Sequence, residues 1–489
     1  MTIIPFCETK TYETEGYYHG RTGSKEQAAK KTFKVPHTFV ILFFLIVVAT
    51  IGTYVIPAGV YDRVTDPITN RSVVDPLSYH LVEATPVGFF EMFISLYKGL
   101  IDAGDIIFFI MISYGTFYLI LESGALHAAI GSLLRNTKGK DAFVLPLFTY
   151  LFATASTFFG MYEEAFGFIP IFVGLAIAMG YDAIVGMSVV ALGCGLGFAA
   201  AFMNPFTVGL AQKLSELPLF SGLGFRVVSW FVFVTMGIMW MMRYGNRIRK
   251  DPSKSLMAGI DMGAMALDHD ELVNTKFTGR NRAVLLVLLI GMSILIWGVL
   301  KKGWYFDELC GILLITGIAA GVVNGYGPSR IAVIFIDAWK DIVFGACVVG
   351  ISRGVLLVMR QGQIIDSVIY GLAQPLSSLP KWVAAEGMLF VQTLINFLIP
   401  SGSGQAATTI PIMAPLSDIL GIPRQIAVLA YQYGDGFSNI LWPTTLLPVM
   451  CGIAKVPIER WWKYFVPFFF LLFSVQMVFI FVAVLINYS

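Results

Sequence analysis

Apolar stretches of membrane-crossing length, separated by short polar punctuation, dominate the chain from residue 38 onward. Thr38 to Ile56, Ala283 to Leu300, Ile342 to Met359 and Phe465 to Ile486 each meet or approach the run of about 20 apolar residues that a helix needs to cross ~30 Å of hydrocarbon. Membrane β-strands would be shorter and strictly alternating, so the pattern predicts an all-α polytopic membrane protein. Composition agrees: 57% of residues are apolar, 13% are charged and the mean hydropathy is +0.75.

Two interruptions of this pattern resemble one another. Gly160-Met-Tyr-Glu-Glu-Ala-Phe-Gly-Phe-Ile-Pro-Ile171 and Ser401-Gly-Ser-Gly-Gln-Ala-Ala-Thr-Thr-Ile-Pro-Ile412 are polar, Gly-rich breaks inside apolar surroundings. Backbone at membrane depth leaves the helix only where protein or a water-filled cavity satisfies its polar groups, so paired breaks point to a binding site between two halves. The repetition extends further. Ile101-Asp-Ala-Gly-Asp-Ile-Ile-Phe108 returns as Ile336-Asp-Ala-Trp-Lys-Asp-Ile-Val-Phe344. After each Ile-Pro-Ile a helix, a turn, a second helix and a Gly-rich stretch with an Xaa-Pro step follow: Gly193 to Thr207 in one copy and Gly434 to Thr445 in the other. Pro removes a backbone donor and clustered Gly weakens a helix by roughly 1 kcal/mol per residue, so both of these spans are expected to unwind.

The predicted organisation is a cytoplasmic tail over 1–36, a first repeat over 37–242, a cytoplasmic linker over 243–282 and a second repeat over 283–489. The first repeat holds a re-entrant hairpin at about 141–180 and a broken helix at 183–211. The second holds a hairpin at about 382–421 and a broken helix at 425–453. Four crossings in the first half and five in the second, about nine in all, turn the second repeat upside down relative to the first. Phe89 to Leu100 and Ile331 to Lys340 are expected as separate amphipathic segments lying along the interface.

Net charge is only +2 and gives no reason to expect nucleic acid, whereas the placement of Lys and Arg sets orientation. Arg135, Lys138 and Lys140 mark one cytoplasmic loop, eight basic residues from Arg243 to Arg282 a second, and Lys455, Arg460 and Lys463 a third. Asp62 to Glu83 carries only two and reads as external. This places the protein in the cell membrane with its N-terminus inside and its C-terminus outside. The N-terminal stretch lacks an early apolar core, which argues against a cleaved signal peptide. Five cysteines and five histidines are scattered without ligand spacing, so no metal site or cofactor is expected beyond a coupling H+ or Na+. Ser401 to Gly404 fits neither Gly-x-Ser-x-Gly nor a phosphate-binding loop, and no His follows His269 to serve as a base, so the chain does not read as an enzyme.

The candidate substrate site combines the two tips and the two unwound stretches. Glu163 and Glu164 are acids inside the membrane, costing about 2.5 to 3.5 kcal/mol there unless paired or hydrated. They serve either as receptors for a cation or proton, or as partners of a structural base such as Arg353 or Arg360. Asp435 reads the same way, or as a helix cap. Ser401, Gly402, Ser403, Gly404 and Gln405 form a turn into a helix N-terminus, whose free N–H groups suit a carboxylate; close helix packing is the alternative. Asn204, Thr207, Asn439 and Thr444 add neutral donors and carbonyls. Arg353 either faces the cavity and favours an anion or pairs with Glu163 or Asp435.

Val35-Pro-His-Thr38, Ile56-Pro-Ala-Gly59, Glu163-Glu164 before Ile169-Pro-Ile171, Asn204-Pro-Phe-Thr207, Pro218-Leu-Phe-Ser-Gly222, Ser401-Gly-Ser-Gly-Gln-Ala406 and Tyr433-Gly-Asp-Gly-Phe-Ser-Asn439 together resemble the YfcC group of the DcuC-type carriers, within the ion transporter superfamily. The resemblance covers nearly the whole chain from Phe33. It implies secondary transport of small carboxylate-bearing metabolites across the lipid bilayer, by members labelled as carriers of C4-dicarboxylates or of basic amino acids, and often as homodimers. Two acids at one tip and a carboxylate cradle at the other suit a zwitterion with a cationic side chain. The expectation is therefore an arginine/ornithine-type antiporter, with a C4-dicarboxylate carrier coupled to H+ or Na+ as the alternative.

Overall fold

The computed structural model describes residues 38–65, 72–137, 143–260, 262, 275–302, 304 and 306–489. The expected tail at 1–36, the basic residues Lys138 and Lys140, and linker residues 261 and 263–274 lie outside the described residues.

The described chain is mostly helical. The first half contains α1 (Thr38–Val55), α2 (Phe89–Asp102), α3 (Gly104–Glu122), α4 (Ala125–Thr137), α5 (Val144–Phe159), α6 (Ile169–Ala178), α7 (Ala183–Ala199), α8 (Val208–Leu214) and α9 (Leu223–Lys250). The second contains α10 (Gly279–Lys302), α11 (Phe306–Val323), α12 (Pro328–Gln361), α13 (Ile365–Ala373), α14 (Lys381–Leu398), α15 (Gly402–Ile419), α16 (Arg424–Ser438), α17 (Leu447–Ala454) and α18 (Ile458–Leu485). Among the described residues α3, α9, α11, α12 and α18 are each long and apolar enough to cross a membrane, while α1, α5 and α7 are apolar but shorter. Two small antiparallel ribbons follow α1, pairing β1 (Gly59–Val60) with β4 (His80–Leu81) and β2 (Arg63–Thr65) with β3 (Ser72–Val74).

The two helices that stop short form the centre. In α7 every residue except Phe198 is buried, and in α16 every residue after Arg424 is. They touch backbone to backbone, since a Cβ on Gly436 would stand 2.2 Å from Ala199 Cα. Only Gly permits that approach, which is how small residues let helices pack where lipid supplies no hydrophobic drive. Helix starts follow local chemistry: Asp182 Oδ1 accepts the Val185 N–H at 3.1 Å ahead of α7, and Ser401 Oγ accepts the Gly404 N–H at 3.3 Å ahead of α15.

One expected pair of segments behaves asymmetrically. The amphipathic Phe89 stretch is a separate helix, α2, that ends before Gly104, whereas Ile331 to Lys340 runs without a break into α12. Within the repeated motif Gly104 occupies the place where the second copy has Trp339 and Lys340. Those residues sustain a helix that Gly weakens, and the Trp339 indole N–H also donates to Met111 O at 3.0 Å. The linker likewise begins later than its charge pattern suggests, because α9 carries Arg243, Arg247 and Arg249 on to Lys250.

Candidate functional site

The first tip lies between α5 and α6. Gly160 ends α5 in the left-handed region at φ +67°, and a 3-10 turn over Glu163–Phe168 leads into α6. Glu163 and Glu164 are half-buried, and Glu164 Oε2 accepts the Tyr162 N–H at 3.0 Å. Neither acid makes an ion pair with a described residue, so the pairing with Arg353 or Arg360 weighed from the sequence is not what the fold does. Across from this tip the chain unwinds between α7 and α8. A Cβ on Gly160 would meet Phe206 at 2.7 Å and Asn204 Oδ1 at 3.3 Å, and Asn204 Oδ1 accepts the Phe206 N–H at 2.9 Å. Asn204 Nδ2 and Thr207 Oγ1 are buried without a partner.

The second tip lies between α14 and α15, with Ser401 as N-cap. A Cβ on Gly402 would stand 2.9 Å from Thr207 Cγ2 and 3.2 Å from Asp435 Oδ2, so the second tip, the first unwound stretch and α16 converge there. Asp435 is fully buried, caps no helix, and neither carboxylate oxygen has a partner. Such a group is costly in a protein interior unless something charged or protic completes it.

Three expected site residues are instead used by the fold. Gln405 is fully buried, its Nε2 donating to Gln392 O at 2.9 Å and to Gln392 Oε1 at 2.7 Å. Thr444 Oγ1 donates to Phe397 O at 2.8 Å, and Asn439 Oδ1 accepts from Asn396 Nδ2 at 3.0 Å. All three fasten the second tip or the second unwound stretch to α14.

A cavity of about 800 Å3 opens beside the second tip. Ser401, Ser403 and Gly404 line it together with Arg353 and Arg360 of α12, Arg63 of β2 and Asp366 of α13. Arg353 thus faces the cavity as one sequence reading allowed, yet its ion-pair partner is Asp102 of α2 and neither Glu163 nor Asp435. Arg63 pairs with Asp366 at 2.9 Å, and Asp366 Oδ2 also accepts the Tyr61 N–H at 3.0 Å. Burial, then the nearby Asp366 carboxylate, raises the Tyr61 hydroxyl pKa, so Tyr61 is a neutral wall group.

Glu163, Glu164, Asn204, Thr207 and Asp435 do not line this cavity. Phe198 rests 3.4 Å from the Cβ position of Gly402 and meets Tyr162 edge-on at 5.4 Å between ring centroids. These two rings stand between the cavity-side tip and the tip that carries the acids. Arg63, Asp366, Phe198 and Tyr162 are not among the expected site residues: Arg63 and Asp366 belong to no recognisable polar motif, Phe198 is one apolar residue in a Gly-rich run, and Tyr162 sits inside the first polar break but is overshadowed there by the two acids beside it.

Comparison with known proteins bears on what this arrangement is for. The family described as DcuC, C4-dicarboxylate anaerobic carrier, matches residues 35–485. A protein of Escherichia coli (strain K12) named "Putative basic amino acid antiporter YfcC" is 32% identical over 502 residues, spanning 95% of this chain and 99% of that one. An uncharacterized protein of Haemophilus influenzae is 29% identical over 481 residues, spanning 90% and 94%. Among solved structures, the Alcanivorax borkumensis YdaH transporter covers 93% of this chain at 17% identity with a TM-score of 0.43. With the family spanning every described helix and the E. coli relative aligned nearly end to end, the chain belongs to the DcuC family and is a multi-pass membrane transporter, not an enzyme.

Proposed function

We propose that the protein is a secondary antiporter that exchanges basic amino acids, arginine against ornithine or a related cation, by alternating access. The observation that carries this reading is the meeting of opposite poles at Gly402: a capped helix start that suits a carboxylate, and the buried, unpartnered carboxylate of Asp435 that needs a cation. In this reading Ser401 to Gly404 hold the α-carboxylate, Asp435 receives an ammonium group, and Glu163 and Glu164 take the side chain once the Tyr162 and Phe198 rings part. The name carried by the E. coli relative supports the same substrate class.

The architecture proposed is two inverted repeats. Helices α5 and α6 around one tip and α7 and α8 around one break correspond to α14 and α15, and to α16 and α17, in the second half. The cavity lies beside the ribbons that follow α1, the side that charge placement assigns to the exterior, so the conformation described is outward-open. A site that must be filled before the tips close favours exchange over net flux.

Arginine, ornithine, lysine, aspartate and succinate uptake by purified protein in liposomes tests the substrate, and efflux that accelerates when substrate is added outside tests exchange. A second reading, a C4-dicarboxylate carrier coupled to H+ or Na+, is favoured by the three guanidinium groups in the cavity wall. Succinate or aspartate uptake without arginine uptake would establish it and reject the first.

A further inference from the structure

Among the described residues, the cavity wall contains one positive charge that no carboxylate pairs. Arg353 and Arg360 lie seven residues apart on α12, about two helical turns, and so face the same way. Asp102 takes Arg353 and Asp366 takes Arg63, so the described residues set three guanidinium groups against two paired carboxylates. Arg360 is the remainder: it lines the cavity and makes no hydrogen bond or ion pair through its side chain with any described residue. The same cavity is lined by Ser401, Ser403 and Gly404, at the electropositive start of α15.

We infer that Arg360 is a docking point for the substrate's carboxylate, used before that group reaches the Ser401 turn. A guanidinium in an open, watered cavity keeps its charge, and its planar fork matches both oxygens of a carboxylate. An arginine molecule then enters carboxylate first, with its cationic side chain trailing away from the wall. This orientation lets a net-positive cavity accept a basic amino acid. The inference rests on the reading that this cavity is the substrate's route. It requires a carboxylate and holds whether arginine or succinate is the compound carried.

The test uses the purified full chain and measures binding of arginine, succinate and agmatine, the last being arginine without its carboxylate. Whichever of arginine and succinate binds the wild type identifies the substrate class and so judges the proposed function separately. For that compound Arg360→Gln should weaken binding about tenfold, the scale of one charge-assisted hydrogen bond in a hydrated site, with Arg360→Lys in between. Agmatine should bind Arg360→Gln no more weakly than wild type. Lys340→Gln, on the same helix but paired with Asp337 away from the cavity, should change nothing and controls for folding. Unchanged carboxylate affinity in Arg360→Gln, an equal loss for agmatine, or a wild type that binds neither arginine nor succinate would overturn the inference.

Discussion

Asp435 Oδ2 lies 3.2 Å from the point where a Cβ on Gly402 would stand, with neither oxygen of that carboxylate satisfied by the protein. A buried ionisable group next to a helix start, with room only because the residue facing it is glycine, separates the requirements of transport from those of folding.

Asp435→Asn should therefore move the two in opposite directions. Removing an unpartnered buried charge should leave the protein as stable or raise stability by about 1 kcal/mol, seen as a Tm higher by a few degrees. Substrate uptake should fall by roughly a hundredfold, because the cation would lose its partner in a poorly hydrated site. A variant that loses stability and keeps transport would assign Asp435 a structural role.

Glu164→Gln separates charge from geometry at the other tip. The Gln carbonyl can still accept the Tyr162 N–H, so thermal stability should stay within about 0.5 kcal/mol of wild type. Arginine uptake should drop by more than tenfold. Uptake at wild-type rate would remove Glu164 from the substrate path.

The crossing of α7 and α16 should be the least tolerant point of the fold. In Gly436→Ala the new methyl would lie 2.2 Å from Ala199 Cα, which is backbone and cannot turn aside, so about 2 to 3 kcal/mol of stability should be lost in thermal unfolding. Gly104→Ala, which meets nothing within 4 Å, should cost no more than about 0.5 kcal/mol.

Asp102 and Arg353 tie α2 to α12 at the cavity wall, and both side chains are partly open to solvent. A double-mutant cycle with Asp102→Asn and Arg353→Gln should return a coupling of only about 0.5 to 1 kcal/mol in stability. Coupling in transport rate well above that would mean that the pair opens and closes during the cycle.

Orientation is open to a direct chemical check. Ser253, exposed just beyond α9, falls on the side that the basic residues assign to the cytoplasm. Ser253→Cys should resist a membrane-impermeant maleimide in intact cells and react once the membrane is opened. Labelling of intact cells would invert the proposed topology.

The sequence by itself determined the membrane class, the positions of both tips and the presence of a break around each Xaa-Pro step, because apolar run length and Pro placement act over a few neighbouring residues; the breaks fall at 200–207 and 439–446, later than expected, since the Gly clusters before them stay helical inside α7 and α16. The short helices α4 and α13 and the ribbons after α1 escaped it, their apolar runs being too brief to stand out. The tertiary structure alone decided which of the candidate polar residues the fold itself engages. Gln405, Asn439 and Thr444 are all buried, so no exposed polar face marks a direction, and nothing local says that Gln405 turns to Gln392, Thr444 to Phe397 or Asn439 to Asn396. The same holds for the cavity. Arg63, Arg353, Arg360 and Asp366 come from opposite halves of the chain, and whether each guanidinium is paired or free depends on which carboxylate the packing brings within reach, a property of distance in space that spacing along the sequence does not encode.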